Sequence, residues 1–161
     1  MAASDASTAI PAAGTGLNHM GLAVADLDRA HDFYVNVVGM REEGLSEIAS
    51  ESFDRLMGDQ GLRIRFWYLS LDGFRLQLVR YLDGAGEGLT LRHNRGGCPH
   101  LCFAVADARA KHDEIARRGD VKILSEVVTS RYGDMVAHSF YVEDPDGMPI
   151  EFGQVEPAAR S

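Results

Sequence analysis

His19-Met20-Gly21-Leu22-Ala23-Val24-Ala25-Asp26 returns 81 residues later as His100-Leu101-Cys102-Phe103-Ala104-Val105-Ala106-Asp107, with His, Ala, Val, Ala and Asp in register. Asp72-Gly73-Phe74-Arg75-Leu76-Gln77-Leu78 returns 74 residues later as Asp146-Gly147-Met148-Pro149-Ile150-Glu151-Phe152, which matches Gln77 to Glu151. Two phrases repeated in the same order mean a duplicated unit. Each half then holds two potential metal ligands at equivalent points.

The first copy predicts a strand over Leu17 to Ala25. Asp26 caps a helix whose apolar stripe is Ala30, Phe33, Tyr34, Val37 and Val38, and Gly39 ends it. Met40 to Ile48 predicts a strand with an irregular end, and Ser50 to Met57 a short helix stopped by Gly58. Leu62 to Leu71 and Phe74 to Tyr81 are strands joined by the tight turn Asp72-Gly73. The second copy repeats the order. Pro99 to Ala106 is a strand, and Asp107 caps a helix that runs to Arg118 before Gly119. Val121 to Val128, Met135 to Val142 and Met148 to Gly153 are strands, with a turn at Asp144-Pro145-Asp146-Gly147. Residues 1–15 and 155–161 are expected as tails, 16–81 and 98–154 as the two modules, and 82–97, rich in Gly and polar residues, as the connection. The fold class is α+β. A single strand–helix–three-strand unit would leave one sheet face bare, so two units are expected to curl into one cupped, half-barrel mixed sheet with the helices outside.

Side chains alternate across a strand. His19, Gly21 and Ala23 therefore share one face, and Met20, Leu22 and Val24 the other. His100, Cys102 and Ala104 oppose Leu101, Phe103 and Val105 in the same way. Leu76 and Leu78 point away from Gln77, as Ile150 and Phe152 do from Glu151. The large apolar side chains can pack under helices, while small residues leave room beside each His. A carboxylate on an otherwise apolar strand is costly to bury without a partner, and a cation is one such partner. Taken singly, each residue is better explained as a structural His or Gln making ordinary hydrogen bonds. Four polar residues at matched positions of a duplicated unit favour a metal centre. Two imidazoles, a carboxylate and an amide oxygen suit a borderline divalent ion: Zn, Ni, Co, Mn or Fe(II).

The totals narrow the partners. Sixteen basic and twenty-four acidic side chains leave a net charge of −8, against a nucleic-acid partner or an anionic membrane surface. No stretch approaches the ~20 apolar residues of a membrane span. The N-terminal run lacks the basic start and apolar core of a signal peptide, so the cytoplasm is the default location. Cys98 and Cys102 are expected as reduced thiols, with Cys102 lining the cavity near His100.

With these phrases in place, the chain resembles the vicinal oxygen chelate superfamily, which holds glyoxalase I, methylmalonyl-CoA epimerase, extradiol dioxygenases, fosfomycin-resistance transferases and bleomycin-binding proteins. The resemblance spans about residues 16 to 154. It rests on His19…Val24-Ala25-Asp26, Phe33-Tyr34…Gly39-Met40 and Tyr141…Asp144-Pro145-Asp146-Gly147…Glu151-Phe152. It implies paired βαβββ modules around a metal held by His19, Gln77, His100 and Glu151, a set similar to those of glyoxalase I and the epimerase. In those enzymes the metal chelates two adjacent substrate oxygens and a side-chain base moves a proton.

The implied function is a glyoxalase- or epimerase-type lyase or isomerase acting on a small molecule, with a homodimer as the expected assembly. Glu47 and Glu51 lie in the region that supplies the epimerase base, although the insertion from Ser50 to Gly61 blurs the match, and each alone is better explained as a surface acid. Tyr141 is a further catalytic candidate, and Arg75 and Cys102 are candidate substrate contacts. An Fe(II) extradiol-type dioxygenase is the alternative, using His19, His100 and Glu151 as a facial triad. Its signature would place a His at 132 to 134, where this chain has Tyr132, Gly133 and Asp134. A metal-free binding protein is the third reading, disfavoured by the four retained ligands. His31 and His112, repeated at the 81-residue offset, are expected to face solvent; His93 and His138 have no assignment.

Overall fold

The computed structural model describes residues 16–86, 88 and 90–158. The expected tail over residues 1–15 lies outside them. Each half builds its own open sheet. Strands β1 (Met20–Ala23), β2 (Arg41–Ile48), β3 (Arg63–Leu71) and β4 (Phe74–Asp83) run in the order β1-β4-β3-β2. In the second half, β5 (Leu101–Ala104), β6 (Lys122–Ile123), β8 (Met135–Glu143) and β9 (Pro149–Pro157) run β5-β9-β8-β6, and β7 (Val128–Tyr132) also pairs with β8. Both sheets are mixed, because β1 lies parallel to β4 and β5 parallel to β9 while the other pairs are antiparallel. The expected α+β architecture of two like modules is the one found.

The duplication is exact in register. Gly21 lies opposite Gln77 in one half, and Cys102 opposite Glu151 in the other. Helix caps repeat as well: Asp26 accepts from the amides of Asp28 and Arg29, and Asp107 from those of Arg109 and Ala110. These two carboxylates start helices α1 (Leu27–Asp32) and α3 (Ala108–Arg118). Helix α1 widens into a π-helical turn over Phe33–Val38, which Gly39 closes at φ 93°. A third helix, α2 (Glu51–Met57), follows Ser50 as its cap. Asp72 and Gly73 both take positive φ, as a tight hairpin between β3 and β4 requires.

Leu76, Leu78, Ile150 and Phe152 are fully buried in one apolar core that also holds Tyr34 and Val37 of the first half and Ile115 of α3. The two halves thus share a single core on the helix side. Gln77 and Glu151 occupy the opposite faces of their strands, as alternation requires. Phe53 of α2 packs on Ile64, Phe66 and Val79, which form a smaller cluster on Gln77's side of the first sheet.

Three expectations are corrected. The strand expected over Val121 to Val128 is broken: β6 ends at Ile123 and the chain pairs again only from Val128. The segment after Gln154, expected as a tail, continues β9 to Pro157 because β8 is long enough to pair with it. His31 and His112 do not face solvent. His31 packs against Trp67 at a ring separation of 4.6 Å with its Nε2 2.7 Å from Glu42 Oε1, and His112 sits edge-on to Phe140 at 5.1 Å. Trp67 and Phe140 hold equivalent places, opposite Leu78 and Phe152, so the repeat preserved a packing role.

Candidate active site

The second half gathers four of the candidates. His100, just before β5, sets its Nε2 3.8 Å from Glu151 Oε2 on the neighbouring strand β9. Tyr141 lies opposite Glu151 in the ladder, and its hydroxyl donates to Glu151 Oε2 at 2.9 Å. Burial, reinforced by the Glu151 carboxylate, pushes the Tyr141 phenol up to about 12. Cys102 is opposite Glu151 on the other side; burial and then Glu151's charge push its thiol up to about 11. Both side chains therefore stay protonated around neutrality. Gly153 keeps this floor low: a Cβ there would lie 3.4 Å from Ser139 Oγ and 3.5 Å from Cys102 Sγ.

The first half gathers three candidates. Tyr68 lies opposite Gln77, and the His19 ring meets Tyr68 edge-on at 5.5 Å. Gln77 turns its Oε1 over Gly21, 3.8 Å from where a Cβ would sit. Arg75 lies over the Tyr68 ring at 3.8 Å and is paired with Glu43 at 2.6 Å, both partners largely withdrawn from solvent. Glu43 is a site residue that the sequence pattern does not mark. A bulge between Glu42 and Gly44 turns Glu43 toward Arg75, while Glu42 turns toward His31. Two successive acidic residues before a glycine are a weak hint of such a bulge.

Glu47 and Glu51 join neither group. Glu47 pairs in register with Arg65, so it shares the strand face of Trp67 and points away from Gln77; its carboxylate lies 3.7 Å from Arg63. Glu51 is 96% exposed on α2, 3.8 Å from Arg55. Surface ion pairs of this kind stabilise little.

An open cavity of about 1200 Å³ adjoins the second group. Its walls include His100 and Tyr141, together with His93 and its neighbours from the connection between the halves. His93 meets the Tyr141 ring edge-on at 5.7 Å. On the far wall, Lys122 is bound by both oxygens of Glu143 at 2.9 Å.

Metal fit can be judged from these positions. Among the described residues no three His, Cys, Asp or Glu side chains gather around one point. The candidate donors His100 and Glu151 stand instead as a pair, while His19 and Gln77 share Tyr68 as a neighbour in the other half. At 3.8 Å, His100 Nε2 and Glu151 Oε2 are close enough to share one ion. The pair's donor chemistry, imidazole with a carboxylate that keeps one phenol donor, fits a borderline divalent ion.

Comparison with known proteins identifies the family. Residues 16–152 match the family model for the Glyoxalase/Bleomycin resistance protein/Dioxygenase superfamily. The chain is 25% identical over 140 residues to human mitochondrial methylmalonyl-CoA epimerase, covering 86% of this chain and 73% of that one. It is 30% identical over 146 residues to lactoylglutathione lyase of Neisseria meningitidis, covering 86% and 89%. Among solved structures, a glyoxalase family protein from Bacillus cereus superposes with a TM-score of 0.77 at 20% identity, covering 91% of this chain and 99% of that one. A matching model over nearly the whole described chain, with the duplicated register beneath it, places this protein in the glyoxalase/bleomycin resistance protein/dioxygenase superfamily.

Proposed function

We propose that this chain is a metal-dependent lyase or isomerase of the glyoxalase or epimerase type, acting on a small substrate with two adjacent oxygens. The observation that carries the reading is the His100–Glu151 pair, 3.8 Å apart at the entry to β5 and on its parallel neighbour β9, and matched in sequence register in the other half by His19 and Gln77. His100 and Glu151 would hold the ion between them, and His19 and Gln77 are proposed as the matching donors of the first half, which do not gather with that pair among the described residues of one chain. When bound, a divalent ion supplies a Lewis acid that acidifies a C–H bond next to a carbonyl. Tyr141 holds Glu151 in place through its hydroxyl, and Arg75, fixed by Glu43 and Tyr68, stands beside Gln77 for an anionic part of the substrate. The two relatives supply the substrate probes, methylmalonyl-CoA and lactoylglutathione. The free edges of β2 and β7 support the homodimer reading.

The test is metal analysis of untagged protein, followed by proton NMR of either probe in D₂O with the protein loaded in turn with Zn, Ni, Co, Mn or Fe(II). One divalent ion per chain and loss of the probe's α-hydrogen signal support the reading. No stoichiometric ion after reconstitution sinks it.

A further inference from the structure

We propose that His93, carried by the segment joining the two halves, is the side chain that takes up and returns the substrate proton in the cavity beside His100 and Tyr141. The inference rests on the metal-dependent reading above, which needs a base that its four ligands do not supply. The groups around the two candidate clusters are nearly all engaged. Arg75 holds Glu43 at 2.6 Å, and Lys122 holds Glu143 through both oxygens. The Tyr141 hydroxyl is spent on Glu151, and Cys102 stays a thiol beside the same carboxylate. Asp146 accepts from the Ala25 amide across the two halves through Oδ1, and its Oδ2, though without a partner, is buried out of contact with solvent. Glu47 lies on the wrong strand face, and Glu51 points to solvent. His93 is different. It lines the cavity, its ring touches Tyr141, and no hydrogen bond or ion pair to another described residue occupies its nitrogens.

The connection is built to present it. Turns bring the Arg95 amide back to the Arg92 carbonyl at 2.9 Å and the Cys98 amide to the Arg95 carbonyl at 3.2 Å. The segment therefore bends at His93 and rejoins the sheet at β5, next to His100. An imidazole is the side chain suited to passing a proton both ways near neutrality. In the step, the C–H bond beside the carbonyl breaks, its electron pair moves onto the carbonyl oxygen as an enolate, and the proton forms an N–H bond on His93. Return of that proton to the same or the adjacent carbon restores the neutral ring, and no co-reactant is consumed.

His93→Gln and His93→Ala test this in metal-loaded protein. His93 is exposed, so folding and metal content should match wild type by thermal melting and metal analysis. Hydrogen exchange of the responsive probe should fall by about 10²–10⁴-fold, and added imidazole should recover part of it in His93→Ala but not in His93→Gln. Carbethoxylation of His93, mapped by mass spectrometry, should slow when the probe saturates the wild type. Exchange within threefold of wild type in both variants overturns the assignment of His93 and leaves the metal reading standing. Metal-loaded wild type that exchanges neither probe overturns both.

Discussion

Glu151 is the residue on which the proposed centre turns, and the sequence already marked it as a lone carboxylate between Ile150 and Phe152. Both neighbours are fully buried, whereas Glu151 keeps part of its side chain open and takes a hydrogen bond from Tyr141. Glu151→Ala removes the only carboxyl group among the four proposed donors. Metal analysis should show the stoichiometric ion gone while the fold persists; a variant that retains its ion makes Glu151 structural. Tyr141→Phe is milder. It removes one donor to the carboxylate, and loss of a partner outside the ligands themselves typically costs about 10–100-fold in metal affinity. Competition against a chelator measures it. The neighbourhood of His100 and Glu151 was legible because the repeat and strand alternation put both on one face. Glu43 was not legible, because its direction depends on a bulge, and a one-residue slip exchanges the two faces of a strand. The same parity rule takes Glu47 off the ligand face.

At the level of elements, strand parity and helix caps follow from local sequence, and chain breaks do not. Asp26 and Asp107 cap their helices through the side-chain bonds the repeat implied. The run Val121 to Val128 looks like one strand, yet it pairs only at its two ends, because β-propensity cannot say whether a neighbour is present to bond. The Asp72-Gly73 turn gives an element-scale prediction. Gly73 sits at φ 83° and has open space where a Cβ would go, so Gly73→Ala carries a backbone penalty without a clash. Stability should fall by about 1 kcal/mol, judged by the denaturant midpoint, with metal content unchanged. A larger loss coupled to metal release would mean that the hairpin fixes Gln77 as well as joining β3 to β4.

Over the whole molecule, the halves are fastened through a contact no single phrase displays. Tyr34 of the first half is fully buried and donates its hydroxyl to Asp144 Oδ2 of the second at 3.0 Å. Asp144 is itself 5% exposed and also receives the amides of Asp146 and Met148. The sequence offered both residues within family phrases, but their meeting across 110 positions depends on how the modules dock. Tyr34→Phe leaves a buried carboxylate short of one donor and should cost about 1–3 kcal/mol at neutral pH. The pH dependence has a defined sign. Burial first, then the Asp144 charge, raises the Tyr34 phenol well above its ordinary value of 10.0. A group raised in the fold contributes stability that is complete below its unfolded value and lost as pH climbs toward its folded one. Wild type should therefore lose stability above about pH 10 through a phase that Tyr34→Phe lacks, so the gap between them narrows in alkali. Asp144 is raised too, chiefly by burial, so acid does not unfold the protein through this carboxylate. Denaturant titrations of both proteins at neutral pH and above pH 10 decide the point: a gap that stays constant would show that Tyr34 acts by packing alone, and that the halves are held together by their shared apolar core rather than by this bond.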